Sequence, residues 1–176
     1  MQHRNQQSGF SLVEILLVLG IIAILAIAAF IIFPQVQDSN RANTAQSNLI
    51  SMSAGIKNLY GATRNYATLT TEVANQAGIV PASMNGGDKT ATAITSSWSA
   101  PVAIGPGTVV AGVAQTFTIT FQAMPGTICA KLVPGMLQNF KAIYVPASAT
   151  TPLTGDPATA VAACGTILVD VKFEAF

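Results

Sequence analysis

Gly9-Phe10-Ser11-Leu12-Val13-Glu14 opens an apolar run that continues to Phe33, and Glu14 is the one charged residue within it. From Phe10 to Phe33 the run counts 24 residues. As a helix rising ~1.5 Å per residue it reaches about 36 Å, enough to cross a hydrocarbon layer of ~30 Å. The nine residues before it are polar, with Arg4 as their certain positive charge. The pattern therefore predicts a transmembrane helix with one polar flaw close to its start.

A secretory signal is cut after its apolar region and the hydrophobic segment is discarded. Here Phe33-Pro34-Gln35-Val36-Gln37 offers no small-residue cleavage pattern, and the plausible processing point lies ahead of the run. The apolar helix is thus expected to persist in the mature chain. A short charged leader, Gly9, Phe10, Glu14 four residues later and an uninterrupted apolar run resemble the class III leader junction of type IV prepilins. The resemblance implies that a membrane peptidase cuts between Gly9 and Phe10 and methylates the new amino terminus of Phe10.

Each junction residue also has a plain reading: Gly9 as a flexible residue before a helix, Phe10 as the first lipid-facing side chain. Glu14 is harder to explain that way, because a carboxylate at the centre of a membrane helix costs about 2.5 to 3.5 kcal/mol, less near an end. In the functional reading it pairs with the amino group of Phe10 on a neighbouring subunit, so that two charges are buried together. Glu14 is then an assembly residue.

Beyond the run, Ala45, Leu49, Met52, Ile56 and Leu59 recur in steps of four and three, the stripe of an amphipathic helix. One long helix is expected from about residue 10 to 63, with Pro34 a candidate flexible point. The expected organisation is a leader at 1–9, a transmembrane and filament-core helix at 10–33, its amphipathic half at 34–63, and a globular head with a C-terminal disulfide region at 64–176. A second helix is expected within 68–78, and loop over 79–89. Strands are expected at 93–95, 101–104 and 115–122, with Gly105-Pro106-Gly107 as a turn. Residues 127–140 carry an approximate helical stripe interrupted by Pro134. A strand at 141–145, a loop at 146–157 and a last strand at 166–173 follow, with Ile167, Val169, Val171 and Phe173 on its inner face. The expected fold is α+β: a long N-terminal helix packed on an antiparallel sheet, a lollipop-shaped pilin. The segment from Tyr60 to Cys129 is similar to heads of the type IVb and conjugative thin-pilus branch.

Hydrophobic residues make up 51% of the chain and charged ones 9%, eight basic against seven acidic. Without Arg4 seven of each remain, so no global field draws nucleic acid, and no specific nucleic-acid partner is evident. Arg4 favours a cytoplasmic N-terminus, which exports the body to an oxidising compartment. There Cys129 and Cys164 are the natural disulfide pair, two buried free thiols being the alternative. In the family such a bond encloses a surface-exposed variable region.

Enzymatic chemistry finds few carriers. His3, the single histidine, lies in the leader, so the mature chain has no Ser-His-Asp or Cys-His set. Two cysteines 35 apart make no zinc site. Asp88, Asp156, Asp170 and Glu174 read as solvated acids, and the glycines match no phosphate loop. Trp98 and Tyr66 read as core or sheet-packing residues rather than ligand platforms. No catalytic residue, metal or cofactor is expected.

The function implied is a structural subunit of a type IV pilus, a helical homopolymer built through the N-terminal helix. Its partners are copies of itself, the prepilin peptidase and pilus assembly machinery, and the inner membrane before assembly, with the head periplasmic and then on the cell surface. A minor pilin or a type II secretion pseudopilin shares the junction. A membrane-anchored binding module that never polymerises is the reading from another class. Adhesion, twitching motility, DNA uptake and conjugation all use similar subunits.

Overall fold

A computed structural model of the protein describes residues 11–176. Gly9 and Phe10, where processing is expected, lie outside the described residues. The chain divides into two compact units, Met1–Gln37 and Asp38–Phe176.

Helix α1 (Leu12–Leu59) begins on Ser11, whose carbonyl accepts from the N–H groups of Glu14 at 3.0 Å and Ile15 at 3.2 Å. In the first unit its apolar residues occupy every face, so no intrachain surface covers them all. Every residue from Ser11 to Gln37 whose side chain is described is exposed. From Asp38 the pattern narrows to a stripe. Ala42, Ala45, Leu49, Met52 and Ile56 enter the core, the last three with 0% exposure. The expected stripe extended to Leu59, and that is corrected: Leu59 is 48% exposed and ends the helix. The four residues expected to continue it form a turn in which the N–H groups of Thr63 and Arg64 both donate to the Tyr60 carbonyl. Gly61 lowers helix propensity there, and Arg64 takes the left-handed conformation, φ 46°, that closes helix ends.

Helix α2 (Thr71–Gln76) starts where threonine chemistry places it, the Thr70 hydroxyl accepting from the Val73 N–H at 3.2 Å. Gly78, at φ 72°, turns the chain away. The expected loop at 79–89 contains a one-turn helix, α3 (Ala82–Asn85), between Pro81 and a left-handed Gly86. Proline before and glycine after punctuate a short helix as readily as a loop. Fully buried Asn75 ties this region together: its amide donates to the carbonyls of Asp88 at 2.9 Å and Ala91 at 2.8 Å, and its oxygen accepts from Asn85.

The remaining elements are β1 (Ile94–Thr95), β2 (Pro101–Pro106), β3 (Val109–Val110), β4 (Val113–Ala114), β5 (Phe117–Pro125), α4 (Gly126–Met136), β6 (Ala142–Tyr144), α5 (Pro157–Cys164) and β7 (Leu168–Ala175). Among the described residues, five strands form an antiparallel sheet in the order β1-β2-β5-β7-β6. Alternation does its work in β5, where Phe117, Ile119 and Phe121 are buried, and in β7, where Val171, Phe173 and Ala175 are. These residues share one core cluster with Leu49, Met52 and Ile56, so the amphipathic half of α1 is the partner that the sheet needs.

Two expectations about the sheet change, and one hairpin is added. Gly105 and Pro106 pair with Thr118 and Phe117 and continue β2 rather than turning it. Proline is tolerated because β1 is too short to pair with that end of β2. Ile167 precedes β7 and is 76% exposed, so the inner face of the last strand begins after it. The Ala111-Gly112 pair, both at positive φ, folds the small β3-β4 hairpin, which no sequence alternation announced. Register in β5 slips between Phe121 and Met124, where Ala123 at φ 45° gives its N–H to the Asp170 carboxylate at 2.8 Å.

Candidate functional site

In the first unit the chemistry-bearing feature is Glu14, in the first turn of α1 and exposed. Leu12, Val13, Ile15 and Leu16 beside it are each more than half exposed, and Val18, one helical turn further on, is 48% exposed. The helix contains an 18-residue window of mean hydropathy 3.4, none of it buried. An uncovered apolar cylinder of this kind is stable only in lipid or against other apolar helices. A carboxylate near one end of such a helix is costly to bury without a partner.

In the second unit Cys129 on α4 and Cys164 at the end of α5 are joined in a disulfide, their Cα atoms 5.6 Å apart and both side chains buried. Helix α4 keeps Pro134 inside it; Ile128, Leu132, Val133 and Met136 face the core on either side. Helix α5 went unread in the sequence although its signals were present. Asp156 caps it by accepting from the Ala158 N–H at 3.0 Å, and Pro157 takes the first position. The segment between the cysteines is closed a second time by backbone contact. A Cβ on Gly126 would run into the Gly165 carbonyl oxygen and come within 3.2 Å of that of Ile167. Glycine at 126 is therefore required by close approach, which composition alone did not reveal.

The acids do not assemble into a paired-carboxylate centre; each has its own structural partner. Asp88 accepts from the Thr90 hydroxyl and N–H, which hold its carboxyl below the usual aspartate range. Asp156 caps α5, and Asp170 receives the Ala123 N–H. Glu174 pairs with Lys141 at 3.6 Å and accepts from the Tyr144 hydroxyl, whose pKa is raised by burial and by that carboxylate. No His, Cys, Asp or Glu group among the described residues is arranged to hold a metal ion. Trp98 packs against Phe121, ring centroids 5.5 Å apart, and donates to the Gln122 carbonyl. Tyr66 is buried between Tyr60 and Phe117.

Comparison with known proteins fits this geometry to a family. The family model described as PilS N terminal matches residues 39–169, most of the chain. The chain belongs to the PilS family of type IV pilins. A second family model, the prokaryotic N-terminal methylation motif, matches residues 4–30 of the pilin. No curated protein matches it. Among solved structures the pilin is similar to a type IV b pilin from Salmonella typhi, at 20% identity and a TM-score of 0.57 over 74% of this chain and 97% of that one. It is also similar to TcpA, a type IV pilin from the El Tor biotype of Vibrio cholerae, at 17% identity and a TM-score of 0.52 over 78% of this chain and 99% of that one. The likeness to both is one of fold, a helix packed on an antiparallel sheet. The pilin is a structural subunit of a pilus. Its methylation motif and apolar helix point to a membrane-anchored precursor.

Proposed function

We propose that this pilin is made as an inner-membrane precursor, cut between Gly9 and Phe10 by a prepilin peptidase, methylated on Phe10, and polymerised through residues 10–33 into a homopolymeric filament. In this reading residues 1–9 are the leader, 34–63 carry the helix into the head, and 64–176 face the periplasm and then the cell surface. The single observation that carries it is the uncovered apolar helix with Glu14 as its one charge. A lipid anchor gains nothing from that carboxylate and loses stability by it. A helix that must leave lipid for a bundle of its own kind gains register from it, because Glu14 meets the amino group of Phe10 on the next subunit. Packing and satisfied polar groups drive the exchange, lipid tails being as apolar as the side chains that they cover.

The test separates insertion from assembly. Glu14→Val should insert and be processed at least as well as the wild type, yet yield at least roughly tenfold less sheared surface filament when expressed alone, about 1.4 kcal/mol per subunit contact. Mass spectrometry of the wild-type chain should show N-methylated Phe10 as its first residue. Wild-type filament yield from the correctly processed variant would overturn the pairing mechanism.

A further inference from the structure

The end of α1 borders a cleft that assembly through residues 10–33 does not use. It measures ≈ 790 Å³, and its lining includes Lys57, Thr63, Arg64, Tyr66, Gln115 and Phe176. Clefts of about 300–1,000 Å³ are the size of small-ligand sites. Two of the chain's eight basic side chains line it together, and no Asp or Glu side chain does. Among the described residues neither Lys57 nor Arg64 has a carboxylate partner, in contrast to Lys141, which pairs with Glu174.

Arg64 is the less expected of the two. Its φ of 46° is left-handed, and its N–H closes the helix end by donating to the Tyr60 carbonyl at 2.8 Å. Glycine or asparagine is favoured at such a position, because a Cβ strains it. An arginine here forgoes backbone stability and in return holds its guanidinium at the cleft. The walls add two further kinds of group. Tyr66, Val113 and Phe176 are apolar, the Phe176 ring being held under the Lys141 ammonium at 4.5 Å, and Thr63 and Gln115 are neutral hydrogen-bonding residues.

We infer that this cleft binds an acidic saccharide, the carboxylate on Arg64 and Lys57 and the sugar ring against the aromatic and aliphatic wall. A bare anion uses the two cations and leaves the apolar wall idle, whereas an apolar ligand uses the wall and leaves two desolvated cations unpaired. A sugar ring has apolar C–H faces and hydroxyls as well as, in acidic members, a carboxylate that a guanidinium grips in bidentate fashion. The site is independent of the filament contacts proposed above.

The test uses the full chain in detergent and measures binding of 3′-sialyllactose, tetragalacturonate, lactose and inorganic phosphate by ligand-observed NMR. At least one of the two acidic oligosaccharides should bind, with lactose at least roughly tenfold weaker than the bound one. Arg64→Gly and Lys57→Gln should each weaken that binding by a similar factor. Arg64→Gly supplies the residue that the backbone prefers, so its melting temperature should equal or exceed that of the wild type, which separates lost binding from lost folding. Four results would overturn the inference: no binding of either acid up to ~10 mM, lactose binding equally well, phosphate displacing the saccharide at equal concentration, or undiminished binding by Arg64→Gly.

Discussion

Residues 12–33 and residues 38–56 lie on one continuous helix and are both rich in apolar side chains, yet they solve opposite problems. In the first stretch leucine and isoleucine point in all directions; Ile22 is 56% and Leu25 63% exposed. In the second a single stripe is apolar, and Leu49, Met52 and Ile56 are wholly buried against the sheet. The difference teaches that hydrophobic content says how much surface must be covered, while its angular distribution says by what. A stripe is answered within the chain; an all-round pattern has to be answered by lipid or by other copies.

The sharpest break of this comparison is a matched pair of truncations. Leu49→Ala should cost the head about 2–5 kcal/mol, because it removes a fully packed side chain and leaves a cavity. Ile22→Ala should leave the head's unfolding midpoint in denaturant unchanged. Equal destabilisation by the two would mean that the first stretch contributes to the head's core after all.

A smaller effect is expected from the covalent closure within the head. Replacing Cys129 and Cys164 together by alanine should destabilise it by about 2–4 kcal/mol, the usual range for freeing a loop of this size. Thermal unfolding with and without reductant should show the same loss in the wild type and none in the double variant. A wild-type midpoint insensitive to complete reduction would show that backbone packing at Gly126 and Gly165 suffices.

The smallest expected effects come from titration. Burial raises the Tyr66 pKa, opposed by Arg64 nearby, and burial with the Glu174 charge raises that of Tyr144. A phenol whose folded pKa lies above its unfolded value of about 10 favours the folded state less as pH climbs from there through the folded value. The head should therefore lose stability modestly above about pH 10, and Tyr66→Phe should flatten that decline. Asp88 has the opposite sign: its lowered pKa adds stability above the ordinary aspartate value and loses it as pH falls through the folded one. Asp88→Asn should blunt the acid limb of the stability profile, measured by fluorescence of Trp98.

Much of this architecture was legible because it rests on strong periodic patterns. The stripe from Ala45 to Ile56 and the alternation of Phe117, Ile119 and Phe121 read directly from local rules. Misreadings cluster where tertiary contact decides. Gly105-Pro106 carries turn composition but is held in register by Thr118 and Phe117. Ile167 is apolar by type but sits ahead of the strand, in the open. Helix α5 was missed because an alanine-rich segment has weak hydrophobic contrast, although Asp156-Pro157 marked its start. Glu14 stood out in the sequence because a charge in an apolar run is conspicuous, and the fold leaves it exposed in the first turn of α1. The cleft beside Arg64 did not, since its residues come from three separated parts of the chain and converge only in the fold.

The double closure at α4 and α5 gives the segment between the cysteines a use in engineering. Its exposed turn at Thr150-Thr151-Pro152 lies between fixed points: the Ala147 N–H bonded to the Asp170 carbonyl and the Leu153 N–H bonded to the Ile143 carbonyl. Chain added there lengthens a solvent-facing loop whose two feet are already anchored, and loop-closure entropy grows only slowly with length. A foreign peptide spliced between Thr150 and Thr151 would therefore ride on each subunit without entering its core, and a filament of such subunits would repeat it many times along its length.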